Sequence, residues 1–313
     1  MRIQFLVTAH RDPQLAWRLV ERLRDSPGSR VRVQWDRARP VPVPPAALDV
    51  DLRVTRRPSG WATGAQLDAE LDSITSLRDE SFDWLVVLTG QCSPIKPVIE
   101  LHEHLERTPH AMFFEPSVVV PEPDASGLDY LQERYYFRYH WATQRAWDRL
   151  GSSRRVVGAA VQRAVDLVVP RRIAHVRRRP APHAPGLAVR VRRHPFTAER
   201  PCRKGPDWFA FSRPVFDDLV ASVARESALV RHFAHTYCPT EALFQTLLWP
   251  RWGDRNAGHN LHHTRFVPGS ANPRVLALDD WDELVSSDRF FARKFDSTSD
   301  EVLARIDREL LGR

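Results

Sequence analysis

The chain has 313 residues, of which 42% are hydrophobic, and it carries a formal net charge of +7 at pH 7. This length and apolar content suffice for one large domain with a full hydrophobic core, and no apolar run reaches the length of a membrane span. Because an apparent strand begins within the first residues, we expect no signal peptide and a cytoplasmic protein. Three cysteines without CxxC spacing argue against a disulfide framework and against a zinc site.

The basic charge raises the possibility of a nucleic-acid partner, because clustered cations bind phosphate backbones. The densest basic region spans residues 154–204, where arginine clusters alternate with prolines and valines. No nucleic-acid-binding motif accompanies these clusters, and nearly every cation in the chain is arginine, which is typical of a compositional bias. We therefore expect no nucleic-acid partner, while contact with an anionic acceptor or a peripheral membrane contact remains open.

The first part of the chain alternates between predicted strands and predicted helices. Apolar runs predict strands over residues 3–8, 31–35, 52–54, 84–88 and 111–114, and apolar spacing predicts helices after Pro13, over 64–77 and over 98–105. This alternation is typical of an α/β fold with a mainly parallel central sheet and helices on both faces. Ligands of such sheets bind beyond the carboxyl ends of the strands.

Prolines at positions 116, 121 and 123 interrupt the alternation, and an aromatic-rich helix is predicted over residues 128–150. Residues 151–206 are irregular and predict a loop-rich insert that could cover an acceptor groove. Regular structure resumes with a predicted strand over 208–211 and predicted helices over 214–225 and 240–248.

Two adjacent cations, Arg293 and Lys294, stand between aromatic residues near the C-terminus. A cation held beside an apolar wall can meet a phosphate in a lowered dielectric. A surface turn with inward phenylalanines explains this segment equally well, and on the segment alone we favour the turn. Glu241 poses a similar choice, because a carboxylate behind the predicted N-cap Thr240 is favoured by the helix dipole but can also act as a general base.

Two further segments could contribute to a site. The strand before Gly90 runs into a glycine turn that would deliver Gln91 to the edge of the sheet, and Trp208 is either a core residue or a platform for a sugar. Two groups superficially resemble metal sites. The pair Asp49 and Asp51 lies before a short strand and not after one, and the histidines at 259, 262 and 263 are more typical of a solvated loop. We predict no metal.

Five segments in this order resemble the core-2/I-branching glycosyltransferase family (glycosyltransferase family 14), which includes branching N-acetylglucosaminyltransferases and peptide O-xylosyltransferases. They are residues 5–13 (Phe-Leu-Val-Thr-Ala-His-Arg-Asp-Pro), 88–95 (Leu-Thr-Gly-Gln-Cys-Ser-Pro-Ile), 205–213 (Gly-Pro-Asp-Trp-Phe-Ala-Phe-Ser-Arg), 239–241 (Pro-Thr-Glu) and 291–295 (Phe-Ala-Arg-Lys-Phe). Each segment is weak alone, but their order and spacing together are fairly specific. They span most of the chain except residues 117–204.

The resemblance implies one GT-A type domain over residues 1–313 that transfers GlcNAc or xylose from a UDP-sugar, with inversion and without a metal or other cofactor. Within it, residues 1–116 would bind the nucleotide sugar. Residues 117–206 would form a variable insert on the acceptor side, and residues 207–313 would hold the catalytic and diphosphate-binding groups. The acceptor would be a glycan, a glycoside or a peptide. The alternative is a non-catalytic protein that binds a nucleotide sugar or a polyanion.

The resemblance also implies roles for individual residues. Glu241 would be the catalytic base, and fixed cations would stabilise the charge that grows on the leaving diphosphate. The remaining roles are the diphosphate ligands Arg274, Lys294 and Arg293, the nucleoside ligands Val7, His10 and Asp36, and the sugar or acceptor contacts Trp61, Gln91 and Trp208.

Overall fold

The computed structural model describes residues 1–48, 50–115, 117–124, 129–139, 174–176, 187–267 and 272–313, with a few isolated positions between 140 and 173. The strands are β1 (Ile3–Ala9), β2 (Ser29–Trp35), β3 (Asp51–Val54), β4 (Trp84–Thr89), β5 (Cys92–Pro94), β6 (Met112–Phe113), β7 (Val118–Val119), β8 (Phe137–Tyr139), β9 (Ala174–Val176), β10 (Leu187–Arg190), β11 (Arg203–Lys204), β12 (Phe209–Ser212), β13 (His262–Thr264) and β14 (Phe291–Arg293). The α-helices are α1 (Pro13–Leu23), α2 (Gly64–Thr75), α3 (Val98–Arg107), α4 (Tyr130–Tyr135), α5 (Arg213–Arg225), α6 (Ser227–Phe233), α7 (Thr240–Trp252), α8 (Trp281–Ser286) and α9 (Asp300–Glu309).

The central sheet has six strands in the order β3-β2-β1-β4-β12-β6. Strands β3, β2, β1 and β4 run parallel to one another, whereas β12 is antiparallel to both β4 and β6. The predicted α/β fold with a mainly parallel sheet is therefore confirmed. Since β12 runs the opposite way, its first residues lie at the edge where the parallel strands end.

Alternate residues of the sheet pack into two apolar clusters on opposite faces. On β1, Phe5 and Val7 join a cluster with helix α1, whereas Leu6 joins a cluster with helix α2. Each of these three side chains is fully buried. Both faces are covered, which explains why the strands read as continuous apolar runs. No helix in the described parts of the chain is long and apolar enough to cross a membrane.

A second sheet of three strands, β13-β14-β5, lies beside the first and carries the segment with the adjacent cations. Strand β14 occupies its centre, parallel to β13 and antiparallel to β5. The surface turn that we favoured for this segment is therefore wrong, because Phe291–Arg293 is a strand and both Arg293 and Lys294 are half-buried. The inward packing of its phenylalanines is confirmed, since Phe291 and Phe295 are buried in two different clusters. The solvated histidine loop is also wrong, since His262 begins β13 and is only 4% exposed.

The predicted helix over residues 128–150 is confirmed only over Tyr130–Tyr135, where α4 lies. It is wrong over Phe137–Tyr139, which form β8, while residues 140–150 lie outside the described residues. In β8, Phe137 and Tyr139 are buried and Arg138 between them is exposed, which fits the period of a strand. The side chains of Phe137 and Tyr139 join the α2 cluster of the central sheet, so this part of the predicted insert packs on the main core.

The start of helix α2 packs closely against the carbonyl group of Ala234, just after helix α6. A methyl group at Gly64 would overlap the Ala234 carbonyl oxygen. Although helix propensity favours alanine, we expect Gly64→Ala to lower the free energy of unfolding by about 1–3 kcal/mol, because backbone atoms must move apart. Chemical denaturation measures the change.

The matched control for this prediction is Gly258→Ala, where an added methyl group meets no atom within 4 Å and only the positive φ of 78° opposes the change. We expect this control to cost about 1–2 kcal/mol, all of it from the positive φ. Equal or greater stability of Gly64→Ala relative to wild type would contradict the close approach.

Candidate active site

A cavity of about 860 Å³ opens at the edge where the parallel strands end. The ends of β1, β2 and β4, the loop before α2, helix α2 itself and the start of β12 form its wall. This is the position that parallel sheets offer to ligands, because several chain segments leave the sheet there together. Its volume falls in the range of sites for small molecules and cofactors.

The structure brings six of the predicted site residues together at this cavity and leaves four outside its wall. Those that line it are His10, Asp36, Trp61, Gln91, Trp208 and Arg293. Those that do not line it are Val7, Glu241, Arg274 and Lys294. Val7 is fully buried in the α1 cluster, so its side chain belongs to the core.

Asp36 follows β2 and anchors two loops at one end of the cavity. Its Oδ1 accepts hydrogen bonds from the backbone N–H groups of Ala38 at 2.9 Å and Ser59 at 3.1 Å, and its Oδ2 accepts one from Ser59 Oγ at 2.6 Å. Burial raises the pKa of Asp36, but these hydrogen bonds outweigh burial and hold the pKa below its ordinary value. Asp36 is therefore an ionised acceptor that shapes the wall of the cavity.

Positive charge gathers around His10, which follows β1. Burial lowers the pKa of His10, and the nearby Arg11, Arg39 and Arg293 lower it further, whereas Asp36 raises it. The imidazole is therefore neutral at pH 7. All three arginines also line the cavity. Neither Arg11 nor Arg39 was among the predicted site residues.

Arg293 reaches the cavity from β14. Its guanidinium lies 4.5 Å from the centre of the Trp208 ring and donates a hydrogen bond to the Thr89 hydroxyl. Its Nε has no hydrogen-bond partner, and it makes no ion pair with any carboxylate in the described parts of the chain. A half-buried cation with a free donor, held against an aromatic wall, is well suited to binding an anion.

Lys294 lies beside this arginine and adds to the same positive field. Burial lowers the pKa of Lys294, the charges of Arg11 and Arg293 lower it further, and Asp296 partly opposes them. Within the described ranges, Lys294 makes no ion pair. Of the three cations Arg11, Arg293 and Lys294, only Arg11 forms an ion pair among the described residues, with Asp12 at 3.8 Å. Three mutually repelling cations with so little compensation indicate a site for an anionic ligand.

Gln91 holds this arrangement in place. Its side-chain oxygen accepts a hydrogen bond from Arg11 at 2.8 Å, and its side-chain nitrogen donates to the Phe295 carbonyl at 3.0 Å. Gln91 is only 6% exposed. It therefore links the turn after β4 to the turn after β1 and to the strand that carries the cations.

Two carboxyl groups, Asp207 and Glu70, also line the cavity. Burial raises the pKa of Asp207 to about 7, and the negative charge of Glu241 adds to the rise, while Thr240, Arg134 and Lys204 oppose it. Burial also raises the pKa of Glu70 well above its ordinary value, helped by the charge of Asp207. Asp207 can thus exchange a proton near neutral pH, and the protonated form of Glu70 is favoured.

Glu241 stands in the first turn of α7, as predicted, but its carboxylate is committed to two cations. Its Oε2 lies 2.7 Å from Arg134 Nη2 and 3.5 Å from Lys204 Nζ, and its side chain is 24% exposed. The predicted N-cap Thr240 is wrong. Pro239 precedes the helix instead, and Thr240 is its first residue, only 2% exposed.

Arg274 is held by a buried carboxylate away from the cavity wall. Its Nη2 lies 2.6 Å from Asp280 Oδ1, and Arg265 contacts the same oxygen at 2.9 Å. A backbone hydrogen bond from Leu276 N to the Lys294 carbonyl, at 2.9 Å, ties this segment to the strand with the cations.

Trp61 is 41% exposed at the cavity and meets the Tyr237 ring edge-on at 6.0 Å.

Among the described residues, no three His, Cys, Asp or Glu side chains converge as a metal site would require. Of the predicted acidic pair, Asp51 binds Arg32 and Arg53, both at 2.6 Å, and Asp49 lies outside the described residues. All three cysteines are free and buried, as predicted.

Comparison with known proteins gives one related sequence and some weak structural overlaps. No family model matches the chain. It is 31% identical over 137 residues to "Xylosyltransferase oxt" of Drosophila pseudoobscura pseudoobscura, a match that covers 34% of this chain and only 15% of that protein.

The structural overlaps are weaker. Mouse xyloside xylosyltransferase 1 in its apo form aligns over 95% of this chain and 98% of its own, with 8% identity and a TM-score of 0.37. Staphylococcus aureus TarS aligns over 43% of this chain and 24% of its own, with 11% identity and a TM-score of 0.27. TM-scores of this size are too low to establish a shared fold.

Proposed function

We propose that this protein is an inverting glycosyltransferase that moves a sugar from a UDP-sugar to an acceptor hydroxyl group without a metal ion. One observation carries the proposal: at the carboxyl edge of a parallel sheet, Arg39 and Arg293, which have no carboxylate partner among the described residues, line the same cavity as Asp207 and Glu70, whose pKa values are raised. The sequence similarity to part of a xylosyltransferase supports sugar transfer, and makes xylose our first choice of sugar and GlcNAc our second.

In the proposed complex, the diphosphate lies against Arg11 and Arg293, with Lys294 behind them. Negative charge grows on the leaving diphosphate during the reaction, and fixed cations that meet it lower the barrier. A metal ion would otherwise stabilise the charge on the diphosphate, so we propose that Arg11, Arg293 and Lys294 replace it. Arg274, as a further diphosphate ligand, stays a prediction, because its guanidinium is engaged by Asp280.

We propose a GT-A type fold in which the nucleoside lies near Asp36 and His10. The family resemblance implies the same two residues for this role. The sugar would then extend toward Trp208, whose indole Nε1 has no hydrogen-bond partner. An aromatic ring beside a sugar-sized space offers both a flat apolar contact and a donor.

The proton of the acceptor hydroxyl needs a base beside the anomeric carbon. The resemblance implies Glu241, but Asp207 lines the cavity, leaves its Oδ1 without a partner and has a pKa of about 7. A base with a pKa near the working pH is the most effective. We propose Asp207 as the base, with Glu241 keeping the two nearby cations in place. The acceptor, whether glycan, glycoside or peptide, stays open.

The test is titration calorimetry of UDP, UDP-xylose and UDP-GlcNAc with EDTA present, followed by an assay of UDP release with each donor. We expect UDP to bind and one of the two donors to be turned over, slowly by water when no acceptor is supplied. Binding without turnover of either donor, even with xylosides, glycans and serine-containing peptides as acceptors, would support a non-catalytic nucleotide-sugar protein. Failure of UDP to bind would refute the proposed function.

A further inference from the structure

Glu70 is a buried carboxyl group that faces the cavity without any partner. It lies on α2 and is only 7% exposed, and it lines the cavity together with Asp207. In the described part of the chain it makes no hydrogen bond and no ion pair, and its only electrostatic neighbour is the carboxyl group of Asp207. A buried polar group of this kind normally has a hydrogen-bond partner, so the lack of a partner for the Glu70 carboxyl group requires an explanation.

Glu70 is one of several groups on the cavity wall that lack partners. Among the described residues, Asp207 Oδ1 and Trp208 Nε1 are also buried without a hydrogen bond. These three residues line the same space. Together they offer donors and acceptors at once, which suits a neutral ligand that carries several hydroxyl groups.

We propose that Glu70 is a specificity-determining residue that binds a hydroxyl group of the transferred sugar. This inference rests on the proposed function and deepens it. This hydroxyl group takes no part in the bonds that change during transfer. It would face the part of the cavity wall that is formed by α2 and the start of β12. In the proposed complex the diphosphate meets Arg11 and Arg293, so Glu70 takes no part in binding the UDP portion.

The chemistry of the two carboxyl groups suggests the direction of this hydrogen bond. Burial raises the pKa of Glu70, and the charge of Asp207 adds to the rise, so the protonated form of Glu70 is favoured. In that form Glu70 donates its O–H to a sugar oxygen. Asp207 stays available as an acceptor for the proton of the attacking hydroxyl.

The test compares Glu70→Gln with Glu70→Met. Glutamine keeps a donor and an acceptor at the same place and cannot ionise, whereas methionine keeps the length and removes both. Calorimetry in EDTA measures the Kd of UDP and of the donor sugar nucleotide, UDP-xylose or UDP-GlcNAc, for each variant. Thermal unfolding checks that both variants are folded.

We expect UDP to bind both variants as it binds wild type. We expect the donor to bind Glu70→Gln within about threefold of wild type, and Glu70→Met roughly 10- to 100-fold more weakly, because one hydrogen bond is lost and a sugar hydroxyl is left unpaired. Deoxy donors add a second readout, since the donor that lacks the contacted hydroxyl should bind wild type and Glu70→Met equally.

Unchanged donor affinity in Glu70→Met, or an equal loss of affinity for UDP and for the donor, would overturn the inference while leaving the proposed function standing. If Glu70→Met does not fold, the deoxy donors decide the matter with wild type and Glu70→Gln. Equal losses of affinity for each deoxy donor in wild type and in Glu70→Gln would support the inference. Donor affinity that depends on no sugar hydroxyl would refute it. If wild type does not bind UDP, it is the proposed function that fails.

Discussion

Replacement of Asp207 with asparagine is expected to lower kcat by roughly 10²–10⁴-fold, because the variant keeps the shape of the side chain and loses the base. UDP affinity is expected to stay within about threefold of wild type, since the proposed diphosphate ligands are Arg11, Arg293 and Lys294 and not Asp207. The assay is initial-rate release of UDP, and titration calorimetry gives the affinity. The surface variant Asp217→Asn, whose side chain is 56% exposed on α5, is the matched control.

Glu241→Gln separates the two candidate bases. If Asp207 is the base, Glu241→Gln disturbs Arg134 and Lys204 and is expected to lower kcat less than Asp207→Asn does. A larger loss in Glu241→Gln, with Asp207→Asn close to wild type, would return the base role to Glu241.

The pH dependence follows from the same carboxyl group. Since a base must be ionised, wild-type kcat/KM is expected to rise with pH through about 7, and the rise is expected to be absent in Asp207→Asn.

The stability of the folded protein is expected to change with pH in the opposite direction. The folded protein binds the proton more tightly than the unfolded chain, so the contribution of Asp207 is present below its ordinary pKa and is lost as pH rises through about 7. At pH 8, Asp207→Asn is expected to melt a few degrees above wild type.

Replacement of Arg293 with methionine is expected to weaken UDP binding by roughly 100-fold, equivalent to about 3 kcal/mol, because a charge-assisted contact to the diphosphate is lost. Methionine keeps an apolar contact with Trp208, so folding should be preserved. Calorimetry in EDTA at several salt concentrations measures the change, and the wild-type affinity should fall as salt rises.

Arg289→Met is the matched control for this prediction, since Arg289 is 26% exposed, lies beside Asp288 and does not line the cavity. Uridine is the matched ligand. We expect it to bind Arg293→Met as it binds wild type, because it lacks the diphosphate. An equal loss for uridine and UDP would mean that Arg293 supports the shape of the cavity and does not meet the phosphates.

The strands and helices that build the sheet could be read from the sequence because their apolar runs are long and buried on two faces. Strands β1, β2 and β4 and helix α1 are close to their predicted bounds. The segment around Tyr135 misled because its aromatic content was read as helical, although the alternation of Phe137, Arg138 and Tyr139 has the period of a strand.

The site was harder to predict than the fold, because its contacts join residues far apart in the sequence. Arg11 and Asp207 both lie inside segments that carry the family resemblance, but neither was predicted to have a role in the site. Only the structure places Arg11 on Gln91, 80 positions away, and Asp207 on the cavity wall. Glu70 did leave a local signal: it stands between Leu67 and Ile74 on the core-facing side of α2, where a carboxyl group is unexpected.

The most direct test of the central claim is a crystal structure of the protein with UDP, grown in the presence of EDTA. The account predicts the pyrophosphate within hydrogen-bonding distance of Arg293 and Arg11, with the β-phosphate directed toward Trp208 and Asp207 and the uridine on the side of Asp36. A nucleotide bound elsewhere, or bound in this cavity with its phosphates turned away from these arginines, would contradict it.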